Sequence, residues 1–121
     1  MVKNLIEVAL VVTSHQTAKN INFDNDPDWG KSHYWFWEGF RCHWRVLGRQ
    51  NQKPLVLLHG FGASSAHWRK NAGPFAAAGF CVYGLDLLGF GDSDQPGYIQ
   101  FKGLNNHLWA NQLISFLEEI V

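Results

Sequence analysis

The sequence predicts an α/β fold: an antiparallel hairpin followed by a parallel β-α-β-α run, in a sheet that these residues leave incomplete. Three observations carry this reading. Residues 54–58 and 80–85 are continuous apolar runs, the texture of strands covered on both faces. A segment with helix signals separates them, so the two strands call for a parallel crossover. Upstream, two aromatic β-rich runs flank the turn dipeptide Glu38-Gly39, which marks a hairpin.

Composition bounds the possibilities. The chain has 121 residues, 46% of them hydrophobic and 15% aromatic, with 10 basic against 10 acidic side chains. That is enough apolar material for one packed domain, and too aromatic for a disordered chain. A net charge of zero argues against a nucleic-acid face or a polybasic membrane anchor. No apolar run approaches the ~20 residues of a membrane span. The apolar start, residues 1–12, is interrupted by Glu7 and lacks a clean small-x-small cleavage pattern, so the expectation is a cytoplasmic protein. Two cysteines, Cys42 and Cys81, make no disulfide framework; both lie in apolar runs and read as buried free thiols.

Each element has its own signal. Residues 1–33 read as an N-terminal arm, with a short helix or frayed end at 1–12 and a polar, turn-rich stretch behind it. The domain proper is expected over 34–121. Residues 34–37 and 40–47 form the hairpin; Phe40, Cys42, Trp44 and Val46 alternate with Arg41, His43 and Arg45. Trp35, Trp37 and Trp44 read as hairpin and core packing. After the strand at 54–58, Ser64 or Ser65 can cap a helix, Pro74 marks a break or a new turn, and Gly79 closes the segment. A glycine-rich loop follows the strand at 80–85 and runs to about Phe101. The last helix begins near Leu104 and places Leu104, Leu108, Leu113, Phe116, Leu117 and Ile120 on one face.

Chemistry is expected beyond the carboxyl ends of the two buried strands, where ligands of open α/β sheets bind. The first such segment is His59-Gly-Phe-Gly62. Gly60 and Gly62 admit backbone conformations that expose peptide N–H groups, and such groups stabilise an anion. The second is Asp86-x-x-Gly89-x-Gly91-x-Ser93-x-x-Pro96.

The pair of motifs, with Trp68 between them, resembles the α/β-hydrolase superfamily in order and spacing, over about residues 35–121. The texture is similar to serine-type hydrolases of the cyanobacterial and plastid kind. The resemblance implies an ester or acyl-type hydrolase acting on a small molecule. The backbone N–H of Phe61 would be an oxyanion-hole donor within a loop made by His59, Gly60 and Gly62, and no cofactor or metal would be needed. No Gly-x-Ser-x-Gly elbow occurs in these residues, and the acid and histidine of the triad follow the elbow in chain order. The chain therefore reads as the N-terminal part of the fold, inactive by itself. In the fold so implied, the nucleophile strand would flank residues 55–58, which are expected to show an unpaired apolar edge open to self-association.

An improvised triad from Ser64, Ser65, Ser93, His59, His67, Asp86, Asp92 and Asp94 has the right residue types. Capping explains Ser64 and Ser65 better, a turn explains Ser93, and loop hydrogen bonds explain His59 and Asp86. Two other classes remain as alternatives: a non-catalytic interaction module or remnant, and a Rossmann-type dinucleotide-binding domain. The second rests on Gly60-x-Gly62-x-x-Ser65 after a strand, with Asp86 ending the next. Ser65 in the third glycine position and the preceding hairpin count against it. The six histidines show no metal-ligand spacing.

Overall fold

A computed structural model describes residues 9–12 (backbone only), 26–97 and 104–121. Parts of the expected arm and the end of the expected glycine loop lie outside the described residues. Five strands form one mixed sheet: β1 (Ala9–Val12), β2 (Lys31–Trp37), β3 (Phe40–Leu47), β4 (Lys53–Leu58) and β5 (Phe80–Leu85), in the order β1-β4-β5-β3-β2. A 3-10 turn (Ser65–Lys70) and helix α1 (Ala72–Ala77) connect β4 to β5, and helix α2 (Asn106–Glu119) follows the glycine loop.

The hairpin forms as its turn residues require. Glu38 and Gly39 both take positive φ, 52° and 81°, the geometry whose twist matches a two-residue antiparallel connection. The ladder runs from Lys31 opposite Val46 to Trp37 opposite Phe40. β3 then pairs antiparallel with β5, and β5 pairs parallel with β4. This leaves β5 at the centre of the sheet with its last five residues buried.

The two faces of the sheet carry separate cores. Val56, Cys81, Tyr83 and Leu85 pack with Trp35, Trp37, Cys42 and Phe116, the last of these delivered by α2. Leu55, Leu57 and Val82 point the other way, onto Trp29, Trp68 and Ala72. Gly84 lies on this second face because nothing larger fits: a Cβ there would stand 2.8 Å from Cζ2 of the Trp29 indole. Both cysteines are free and buried, and burial pushes the Cys42 thiol up to about 12.

Between β4 and β5 the capping signal holds, but the helix it starts is short. The Ser64 hydroxyl accepts the Ala66 N–H, and Asn71 N–H closes back on the Trp68 carbonyl in a 3-10 step. Pro74 does not break the next helix. It lies in the first turn of α1, where its missing N–H would have no intrahelical partner, and Gly79 follows with φ +102°. Helix α2 starts at Asn106, two residues after Leu104, because Asn105 caps it through the Leu108 N–H.

The expected 1–33 arm is corrected at three places. Ala9–Val12 form a strand, Trp29 is buried, and Lys31, Ser32 and His33 already belong to β2. A short apolar run is ambiguous between helix and strand by periodicity, and the β-branched Val11 and Val12 suit a strand. The expected open edge of residues 55–58 is corrected with it. β1 pairs parallel with β4 there, Ala9 opposite Leu55 through Val12 opposite Leu58. Self-association through that edge would therefore require β1 to be displaced.

Substituting proline in β1, Val11→Pro, removes a backbone donor and fixes φ. The expected result is exposure of the β4 edge, read as loss of hydrogen-exchange protection at the alternate β4 amides that face β1. Sedimentation velocity should show larger species. A variant that stays monomeric with β4 still protected would show that β1 contributes nothing to covering this edge.

Candidate functional site

The carboxyl ends of β4 and β5 open into the two glycine loops, and the hydrogen bonds between those loops define the site. The Asp86 carboxylate, 1% exposed, is its centre. Oδ1 accepts the Ser65 N–H, and Oδ2 accepts both the Asp92 N–H at 2.9 Å and the His43 ring at 2.8 Å. Its backbone carbonyl accepts the Ser93 hydroxyl and the Gln112 amide. Burial by itself would push this carboxyl up. The donors from His43, Asp92 and Ser65 outweigh that and hold it at about 2, below the ordinary 3.8. Gly91 lies so close that a Cβ would overlap the carboxylate, and its φ is +56°.

His59, 2% exposed, locks the loop after β4 onto the loop after β5. Its Nδ1 lies 2.8 Å from the Gly60 carbonyl, and its Nε2 accepts the Leu87 N–H at 3.0 Å. The ring proton is therefore on Nδ1, and burial lowers the pKa. With both nitrogens occupied, His59 shapes the loop and is not a free base.

Residues 60–63 make a tight turn closed by the Ala63 N–H on the Gly60 carbonyl, with φ +80° at Gly62. A side chain at Gly62 would be strained there, as the third position of such a turn demands. Among the described residues, no acceptor meets the Phe61 N–H. The Phe61 side chain is 86% exposed and packs edge-on against Phe90 and Trp109. An apolar cavity of about 360 Å³ opens beside it, lined by Leu58, His59, Phe61, Leu87, Phe90 and Trp109 among others.

The expected site residues thus fall into two groups. His59, Gly60, Phe61 and Gly62 stand together at the end of β4. The serines proposed for an improvised triad do not reach a histidine ring: Ser64 caps, Ser65 Oγ accepts Arg45 Nε, and Ser93 Oγ bridges the His43 N–H and the Asp86 carbonyl. His67 packs edge-on to Trp68. Sequence reasoning missed His43, Ser32 and Gln112. The His43 ring joins Asp86 to the Ser32 hydroxyl, and the fully buried Gln112 joins α2 to the Asp86 loop. His43 falls in the polar register with Arg41 and Arg45, so the alternation of the strand carries no signal of its burial.

His43, Asp86 and Asp92 place one potential metal-ligating atom each within 4.8 Å of one another. Asp86 Oδ2 already accepts two hydrogen bonds there, and Asp92 is exposed. A dinucleotide reading fares poorly as well. The Ser65 N–H that would face a pyrophosphate is held by Asp86, and the antiparallel β3 adjoins β5.

Comparison with known proteins decides the family. The model of the alpha/beta hydrolase fold matches residues 53–119, more than half of the chain. The chain belongs to the α/β-hydrolase fold family. It is 33% identical over 82 residues to bifunctional epoxide hydrolase 2 of Mus musculus, covering 68% of this chain and 14% of that protein. It is 43% identical over 81 residues to a haloalkane dehalogenase of Mycobacterium marinum, covering 66% of this chain and 26% of that one. Among solved structures, the haloalkane dehalogenase DpaA of Paraglaciecola agarilytica superposes with a TM-score of 0.69 at 29% identity, over 76% of this chain and 32% of its own. The thioesterase domain of the curacin pathway gives 0.69 at 20% identity, over 75% of this chain and 33% of its own, a likeness of fold alone. The chain spans between about a seventh and a third of the length of these relatives. Among the described residues, no helix is long and apolar enough to cross a membrane.

The hydrogen bonds to Asp86 set a pH dependence whose sign follows from its lowered pKa. The unfolded chain takes up a proton near 3.8 and the folded chain near 2, so the stabilisation is full above about pH 4 and fades as pH falls through 2. The gap corresponds to ~2 kcal/mol. Asp86→Asn is expected to lower stability by about that amount at pH 7 and to flatten the acid limb, measured by urea unfolding from pH 7 to 2. An unchanged acid limb would remove Asp86 from this role.

Proposed function

We propose that these residues form the anion-stabilising half of an α/β-hydrolase active site. The Phe61 N–H would be one donor to the developing oxyanion of an ester or related small-molecule substrate. The observation that supports this most is the Phe61 N–H itself: it has no acceptor among the described residues, on a turn that His59 locks in place beside an apolar cavity. Nucleophile, acid and base, of the serine-hydrolase type, would come from residues outside 1–121. The proposed location is the cytoplasm, and the two free, buried cysteines are compatible with it. Epoxide hydrolase and haloalkane dehalogenase names both occur among the relatives, so these residues do not by themselves select the bond that is cleaved. Residues 1–121 by themselves are proposed to sustain no steady-state ester hydrolysis, because a donor without a nucleophile leaves only residual catalysis.

Two measurements test this reading. In hydrogen exchange, the Phe61 amide should exchange quickly while Val56 and Leu57 stay protected. In a complemented enzyme, residues 1–121 joined to the remaining half of a relative, Phe61→Pro removes the N–H at a turn position that accepts proline. The expected loss is about 10²–10³-fold in kcat. Phe61→Ala keeps the N–H and should lose far less. A protected Phe61 amide, or equal losses in the two variants, would overturn the assignment.

A further inference from the structure

Ser32, His43 and Asp86 lie in one hydrogen-bonded line. His43 Nδ1 is 2.8 Å from Asp86 Oδ2, and His43 Nε2 is 2.9 Å from the Ser32 hydroxyl. The ionised carboxylate only accepts, so Nδ1 carries the ring proton and donates it. Nε2 is left to accept the Ser32 O–H. That tautomer is the one a general base needs, and both distances fall within the ~2.6–3.2 Å window for an activated nucleophile.

The sheet places the three residues. Tyr34 is opposite His43 and Ser32 opposite Arg45, so Ser32 and His43 are diagonal neighbours on one face of the hairpin. Asp86 directly follows β5, and its N–H donates to the His43 carbonyl at 3.0 Å. His43 and Asp86 are each 1% exposed and therefore fixed, whereas Ser32 is exposed and open to a reagent. Among the described residues, the Ser32 hydroxyl has no other hydrogen bond. Arg45, its cross-strand neighbour, brings a cation that donates Nε to Ser65 and Nη1 to the Trp29 carbonyl. A positive charge on this face favours an oxygen that turns anionic.

We propose that Ser32 is an activated nucleophile, with His43 as general base and Asp86 orienting the ring, and that it captures a phosphonyl or acyl group from a small activated electrophile. With a fluorophosphonate, Oγ attacks phosphorus, the P–F bond breaks, and fluoride leaves with the electron pair. The Oγ proton passes to His43 Nε2 and on to solvent. This is one covalent event on the hairpin face, separate from the Phe61 turn and without steady-state turnover.

The experiment treats residues 1–121 with an alkyl fluorophosphonate and maps adducts by peptide mass spectrometry. One adduct is expected, at Ser32, forming on the order of 10²-fold faster than at any other serine, as general-base assistance predicts. Ser32→Ala should abolish it with an unchanged melting temperature, and a folded His43→Gln should slow it by a similar factor. His43 is buried and its replacement can unfold the chain, so Ser32→Cys supplies a second reading. The introduced thiol should be alkylated by iodoacetamide on the order of 10-fold faster than free cysteine at pH 7, because a paired imidazole favours the thiolate. No adduct at Ser32, labelling spread evenly over serines, labelling indifferent to a folded His43→Gln, or an introduced thiol no faster than free cysteine would each overturn the proposal.

Discussion

The buried carboxylate of Asp86 holds in register three backbone segments that share no ladder: the hairpin through His43, the 3-10 turn through the Ser65 N–H, and the second glycine loop through the Asp92 N–H. An unpaired carboxylate at this depth would cost several kcal/mol of solvation. The donors around it recover that only while all three segments stay in position. Arg45 extends the network, since the Ser65 hydroxyl that accepts its Nε belongs to the residue whose N–H faces Asp86. Gly91 is the steric counterpart: the loop passes so close to the carboxylate that a methyl group has no room.

Packing on the two faces of the sheet depends on this register. Trp29 donates its indole N–H to the Ser65 carbonyl and lays its ring over Gly84, so the segment before the hairpin is tied to the same 3-10 turn that Asp86 anchors. On the opposite face, Phe116 of α2 meets Trp35, Trp44 and Tyr83 at ring separations of 5.8 to 6.3 Å, mostly tilted or edge-on. Gln112, one turn earlier, satisfies the Leu88 N–H and the Asp86 carbonyl from inside the core. A polar side chain at full burial is tolerable here because both ends of its amide are used.

The turn that carries Phe61 inherits its rigidity from His59 rather than from a ladder. One ring nitrogen holds the Gly60 carbonyl and the other holds the Leu87 N–H, so His59 ties the loop after β4 to the loop after β5. Burial lowers the histidine pKa and so favours the neutral ring, whose Nε2 is the acceptor this clamp requires. A donor aimed at a developing charge stabilises it only if it is already oriented. The His59 hydrogen bonds and the Gly60–Ala63 turn supply that orientation from within the described residues.

The sequence by itself determined the elements whose signals are local. Glu38-Gly39 announced the hairpin, the apolar runs at 54–58 and 80–85 announced β4 and β5, and the two glycine motifs announced the family. Each depends on neighbours within a few residues, through turn geometry, burial on both faces or backbone freedom. What only the tertiary structure decided depends on residues far apart in the chain. Ala9–Val12 are a strand because the edge of β4 accepts them, and a run that short has no preference strong enough to show beforehand. Trp29 is core because Gly84 leaves it a slot. His43 and Ser32 join Asp86 only after β3 has paired with both β2 and β5, from sequence separations of 43 and 11 residues along the hydrogen-bonded line. No spacing rule connects such positions, since strand pairing and loop docking, not chain distance, set which side chains meet.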